Sequence, residues 1–300
     1  MAAVDPRQVG AASPVVLDGG LATRLEARGH DLSSDLWSAR VLLEQSGEVR
    51  AAHEDYFAAG AQVATTASYQ LSAEGLSALG QRERFGELLA RSVRLAREAA
   101  EPYDGLVAAS VGPYGAMLAD GQEYTAAYAL GSGAAEVRAL RAWHRPRLER
   151  LAAAGPDLLA METIPCLAEV EALLSEVAEL GVPCWLALTA DGDRTRRGEP
   201  LAEAFAMAGE VDAVVAVGVN CCSPWGLDPV LAEAVAVAGK PAVVYPNSGE
   251  EWLGEERQWS GAGRFDAEAA RGWVDSGARW VGGCCRVGPE QIAEIAAGLS

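Results

Sequence analysis

The feature that most restricts this chain is a regular alternation of short apolar runs with longer amphipathic ones. Eight runs read as strands: Val15–Asp18, Gln62–Thr66, Leu106–Val111, Asp157–Glu162, Cys184–Thr189, Ala213–Asn220, Ala242–Pro246 and Arg279–Gly283. Several are apolar throughout, as strands covered on both faces are. Helical periodicity fills the gaps, for example at Glu83–Ala100, Glu136–Ala153, Ala168–Leu180, Pro229–Ala238, Ala267–Ser276 and Pro289–Leu299. Gly181, Gly239 and Gly277 each fall between a helix and the next strand, where a left-handed cap is needed. Repeated strand–helix units predict a parallel sheet, and eight of them close into a single α/β (β/α)8 TIM-type barrel. No proline-rich linker or low-complexity tract divides the chain. Residues 14–300 therefore read as one barrel domain and residues 1–13 as an N-terminal lead-in.

A barrel of this kind carries its chemistry at the carboxyl ends of the strands. The predicted ends hold Asp18, Thr66, Glu162, Asn220 with Cys221, and Cys284 with Cys285. The stretch from Pro113 to Ser132 is long for a βα loop and carries Tyr114, Glu123, Tyr124 and Tyr128, which marks it as a lid or substrate wall.

Six cysteines without a secretion signal read as thiols rather than disulfides. Adjacent cysteines bridge each other only with strain, whereas two neighbouring thiolates can turn toward one metal. Cys284 and Cys285 end strand eight, and Cys221 or Cys222 ends strand six. Next-but-one strands of an eight-stranded ring converge at the barrel mouth, so three sulfurs there would suit Zn2+ with the fourth tetrahedral position open. Three thiolates leave such a centre with a net charge of about −1, a poor activator of water but a good host for a substrate thiol. The implied chemistry is attack by sulfur on an electrophilic carbon. Cys166 and Cys184 have no clustered partner and read as packing residues. His30, His53 and His144 all lie away from strand ends, which argues against a multi-histidine metal site and against a Ser-His-Asp triad.

Acidic residues outnumber basic ones by 42 to 24, a formal charge of −18. That excess repels nucleic acid and anionic lipid, so neither nucleic acid nor membrane is expected as a partner. No apolar run approaches the roughly 20 residues of a membrane span, and the chain reads as a cytoplasmic monomer acting on small molecules.

Several motifs resemble those of the homocysteine S-methyltransferase family, particularly members that use S-methylmethionine. They are Leu17-Asp18-Gly19-Gly20-Leu21-Ala22-Thr23, Asp35-Leu36-Trp37-Ser38-Ala39, Ala67-Ser68-Tyr69-Gln70, Ser110-Val111-Gly112-Pro113-Tyr114-Gly115, Glu162-Thr163, Gly218-Val219-Asn220-Cys221, Val244-Tyr245-Pro246-Asn247-Ser248-Gly249-Glu250 and Gly282-Gly283-Cys284-Cys285-Arg286. Met161 departs from the pattern, where relatives often have cysteine. The resemblance implies a zinc site of Cys221, Cys284 and Cys285, choosing Cys221 over Cys222. It implies homocysteine as methyl acceptor, held as a thiolate on zinc while it attacks the methyl of S-methylmethionine or, less favoured, S-adenosylmethionine to give methionine. Glu162 and Asp18 are then expected at the substrate ammonium. Backbone amides of Gly19, Gly20 or the Ser68 region are expected at its carboxylate, with the Thr66 or Ser68 hydroxyl assisting and Asn220 orienting a ligand. Tyr114, Tyr124 or Trp252 would face the sulfonium. A zinc or thiol-binding protein without turnover is the alternative, and a zinc hydrolase the weaker one.

Overall fold

In the computed structural model all eight predicted strands form: β1 (Val15–Val16), β2 (Val63–Thr65), β3 (Leu106–Val111), β4 (Leu158–Ile164), β5 (Cys184–Leu188), β6 (Val214–Asn220), β7 (Ala242–Tyr245) and β8 (Ala278–Val281). The structure describes residues 6, 8, 13–31, 37–129, 133–253, 258–261, 263 and 267–300. Most of the expected lead-in, Asp35–Leu36, the tail of the Pro113–Ser132 stretch and the Trp252 side chain lie outside the described residues.

All neighbouring strands pair in parallel, in the ring order β1-β8-β7-β6-β5-β4-β3-β2. A parallel bridge between Leu17 and Val63 brings the ends of that order together. At this seam Gln62 N–H donates to Val16 O at 2.7 Å, and the Gln62 side chain accepts from Val16 N–H at 3.0 Å. The two-residue first strand is thus tied to its neighbour by side chain as well as backbone.

Side chains alternate between two cores, as the two-residue period of a strand requires. Leu106, Ala108, Leu158, Ala160, Trp185, Ala187, Val243 and Trp280 fill the barrel interior. Val107, Leu159, Met161, Leu186, Val217 and Val244 pack outward against the helices. Burying one such leucine or valine contributes about 1.5–3 kcal/mol. The Trp185 and Trp280 rings lie 5.8 Å apart inside the barrel. Following the interior register toward the carboxyl ends leads to Ser110, Glu162, Asn220 and Tyr245, so the same alternation that builds the apolar floor delivers polar groups to the mouth.

The glycine caps take the expected left-handed conformation, with φ of 68° at Gly181, 65° at Gly239 and 103° at Gly277. The long stretch after β3 is partly helical, with a helix at Tyr114–Leu118 and a 3-10 turn at Gln122–Tyr124. Glu169, fully buried on the Leu167–Leu180 helix, fastens it. Its carboxylate accepts from Tyr114 N–H at 2.6 Å and from the Tyr128 hydroxyl, and it lies 2.8 Å from His144 Nε2. Among the described residues no helix is long and apolar enough to cross a membrane.

Candidate active site

Three sulfurs meet at the mouth. Those of Cys221, Cys284 and Cys285 lie within 4.8 Å of one another, and Cys221 and Cys285 are 3.6 Å apart. Tetrahedral coordination with bonds of about 2.3 Å separates ligand sulfurs by about 3.8 Å, so the cluster fits one metal ion without bridging as a disulfide. No fourth His, Cys, Asp or Glu among the described residues joins them. Three thiols this close cannot all ionise without a cation, because burial and mutual repulsion both oppose charge. In the absence of a metal, Cys285 is the sulfur held well below the usual thiol range, since the Cys221 and Cys284 thiols hydrogen-bond to it. Cys222, which spacing alone left as an alternative, instead packs in the outer core.

The backbone explains the convergence. Cys221 leaves β6 in the left-handed region at φ 50°, its N–H donating to Tyr245 O at 3.2 Å. Cys284 N–H donates to Pro246 O at 2.7 Å, and Cys285 N–H donates to Asn247 Oδ1 at 3.1 Å. The segment after β7 therefore braces both cysteine strands. Gly19 and Gly20 lie where this turn approaches the end of β1. A Cβ at Gly19 would sit 2.3 Å from Val287 O, and one at Gly20 would sit 2.6 Å from Cys284 O. Only glycine permits so close a backbone contact.

Two buried carboxyls share the mouth, Glu162 within electrostatic reach of Cys221 and Asp18 within reach of Glu162. Asp18 accepts from Thr65 N–H at 2.7 Å and from the Thr65 hydroxyl at 2.9 Å. Burial pushes its carboxyl up to about 8 despite those bonds, and Glu162 nearby adds to the rise. Glu162 accepts from the Ser110 hydroxyl. Burial raises Glu162 to about 7, against the stabilising hydrogen bonds of Ser110 and Tyr245. The Tyr245 hydroxyl in turn accepts from Trp185 Nε1 at 2.9 Å. Neither carboxyl has an ion-pair partner among the described residues, although the buried Arg147 guanidinium favours the charged form of Glu162 from a distance; such groups suit a positively charged ligand.

The other predicted residues take more internal roles. The Thr66 and Ser68 hydroxyls are 2.8 Å apart; Ser68 donates to Ser110 O at 2.7 Å, and Thr66 Oγ1 accepts from Ser110 N–H at 3.0 Å. Their hydrogens are spent joining β2 to β3. Ser68 N–H donates to Thr66 O and Gly20 N–H to Val287 O, while Gly19 N–H has no partner among the described residues. Asn220 accepts from Thr163 N–H at 2.7 Å and donates to Thr163 Oγ1 at 2.9 Å, reaching across the end of β5. Tyr124 brings its hydroxyl 3.0 Å from Cys221 Sγ, whereas Tyr114 packs on Tyr128 and Trp143.

Sequence reasoning missed Thr65, Ser110 and Tyr245 as supports of the carboxylates, although Ser110 and Tyr245 end strands whose interior register was readable. It missed Arg147 too, a buried guanidinium donating to Gly112 O at 3.0 Å, Ser68 O at 2.5 Å and Tyr69 O at 2.6 Å, for which no local signal existed.

Fold and site together define a (β/α)8 barrel built to handle sulfur. A sequence model of the family described as homocysteine S-methyltransferase matches residues 15–299. The homocysteine S-methyltransferase YbgG of Bacillus subtilis (strain 168) is 41% identical over 299 residues, which cover 94% of this chain and 93% of that one. The homocysteine S-methyltransferase of Escherichia coli (strain K12) is 42% identical over 297 residues, 94% of each chain. Among solved structures, the metallated form of the homocysteine methyltransferase MmuM from Escherichia coli aligns with a TM-score of 0.83 at 40% identity, covering 95% of this chain and 96% of that one. The chain belongs to the homocysteine S-methyltransferase family, methyltransferases that act on sulfur.

Proposed function

We propose that this protein is a zinc-dependent homocysteine S-methyltransferase whose donor is a sulfonium, S-methylmethionine in preference to S-adenosylmethionine. The observation that carries the reading is the convergence of Cys221, Cys284 and Cys285 at a mouth that also holds two buried carboxyls with no ion-pair partner among the described residues. Those three residues would hold the metal, and the metal when bound would lower the pKa of an incoming thiol into the neutral range. Glu162 and Asp18 would receive the substrate ammonium, each already oriented by Ser110 and Thr65. Of the three expected amide groups, Gly19 N–H is the one left for the carboxylate. Thr66 and Ser68 would act by fixing the mouth, and Asn220 by holding the turns that carry Glu162 and Cys221.

The sulfur of homocysteine, its proton lost to solvent, donates an electron pair to the methyl carbon. The donor's carbon–sulfur bond breaks, and its pair returns to the donor sulfur. Methionine and a neutral thioether result; from S-methylmethionine the thioether is a second methionine. Opposite charges cancel during transfer, so exclusion of water and alignment of the reactants are the main contributions asked of the protein. The loop carrying Tyr124 supplies the cover.

The test is methyl transfer from each donor to homocysteine on zinc-loaded protein, repeated with Cys284→Ser. Turnover in the parent and its loss with reduced zinc content in the variant are expected. Zinc-loaded protein that turns over neither donor would leave the chain a thiol-binding protein.

A further inference from the structure

We infer that Glu123 recognises the positive charge of the methyl donor from the lid side of the sulfur cluster; the inference rests on the methyltransferase reading above. Glu123 lies on the Gln122–Tyr124 turn and is only 4% exposed. One carboxylate oxygen, Oε2, has no hydrogen-bond partner among the described residues. The charges that reach this carboxyl are negative, from Cys221 and Asp120, and no arginine, lysine or histidine is among them. It does not join the three sulfurs as a further ligand. Its neighbour Tyr124 touches Cys221 Sγ, and the Tyr69 phenol lies within its electrostatic reach. The turn is packed firmly in place: a Cβ at Gly115 would sit 2.6 Å from Glu123 N.

A buried carboxylate without a cation is costly, and natural chains keep one where a ligand supplies the missing charge. The acceptor's single ammonium already has two carboxyls, Asp18 and Glu162. The donor brings a sulfonium whose methyl must point at the nucleophilic sulfur, and so must lie near the cluster. The Tyr124 ring already carries the Arg196 guanidinium, 5.8 Å from its centroid, so the charge offered to the sulfonium there is that of Glu123, beside the Tyr69 and Tyr124 phenols. The contact weakens as the sulfonium loses its charge, so it serves donor binding and selectivity rather than the transfer step.

Glu123→Gln should raise the KM for S-methylmethionine by about ten- to a hundredfold, the range for losing a hydrogen-bonded charge contact, with the loss falling on KM rather than kcat. The KM for homocysteine should hold. Calorimetric titration of S-methylmethionine onto the zinc-loaded protein should show the same weakening, and Glu123→Asp should recover part of it. The ligand-free melting temperature should stay level or rise, because the carboxyl that is replaced has no ion-pair partner among the described residues and burial already opposes its ionisation. An unchanged donor KM, or a lowered melting temperature with no change in donor binding, would overturn the assignment while leaving the methyltransferase reading intact. Absence of turnover with either sulfonium in the parent protein would instead defeat that reading itself.

Discussion

Asn220→Ala removes a side chain that clasps the end of β4 to the end of β6. Both bonds of the clasp go to Thr163, at 2.7 and 2.9 Å, and both residues are buried. Thr163 has φ 60° and Cys221, next to Asn220, has φ 50°. A β-branched residue in the left-handed region is an outlier that costs about 1–3 kcal/mol and persists only where its surroundings hold it. Truncation orphans the buried Thr163 N–H, at about 1–3 kcal/mol, and loses a second bond worth about 1 kcal/mol, for a total of about 3 kcal/mol. Unfolding entropy for 300 residues is about 0.6 kcal/mol/K, so a melt of the metal-free variant should fall by about 5 °C. Function should suffer beyond this. Once Thr163 can relax, the peptide carrying Glu162 turns, and Cys221 keeps its bond to Tyr245 O but loses the brace beside it, so zinc affinity measured by chelator competition should drop by about 10–100-fold. A melting shift under about 1 °C with unchanged zinc affinity would refute the idea that this clasp positions the site.

His53 is fully buried with neither ring nitrogen hydrogen-bonded among the described residues, and burial holds its pKa down at about 4 against 6.5 unfolded. Being depressed, it contributes stability present above the unfolded value and lost as pH falls toward 4, about 3 kcal/mol in all. Urea unfolding across that window should show His53→Leu losing less stability on acidification than the parent; parallel curves would count against it. Asp18 and Glu162 have the opposite sign. Their raised carboxyls favour the folded state below the unfolded values of 3.8 and 4.5, and that advantage is lost as pH rises through about 7 to 8. An ammonium drawn between them should ionise them. Methionine, which has no thiol proton to lose, should therefore bind near neutral pH with net proton release, read by calorimetry in buffers of different ionisation heat. Proton-neutral binding would remove both residues from the ammonium site.

How much was legible differs from feature to feature. The eight strands could be read because continuous apolar runs between amphipathic stretches are a local signal, and each formed within a few residues of its expected bounds. Cys284 and Cys285 were equally readable, since a doublet directly after a strand falls at the mouth whatever else the chain does. Cys221 against Cys222 could not be settled by spacing. That choice depends on how β6 leaves the sheet, and the left-handed turn at Cys221 sends the first sulfur to the cluster and the second to the helix layer. Thr66 and Ser68 show the same limit: hydroxyls at a strand end can serve a ligand or the frame, and only their mutual distances reveal that they brace β2 and β3. Glu123 and Tyr124 were visible as members of a long loop. Their approach to Cys221, almost a hundred positions away, is a matter of tertiary packing, in which Glu169 of the Leu167–Leu180 helix fastens Tyr114 and Tyr128 of the same loop.

The order of amino acids alone therefore determined the barrel, the end at which chemistry gathers and the thiol character of the centre. Periodicity and strand-end placement are properties of neighbouring residues, which any parallel ring would preserve. Closure of the ladder decided which sulfurs meet, which carboxyls are buried at the mouth and which hydroxyls are already spent. These depend on side chains brought together from distant strands, whose separations are set by the packing of the whole ring and by no single segment of it.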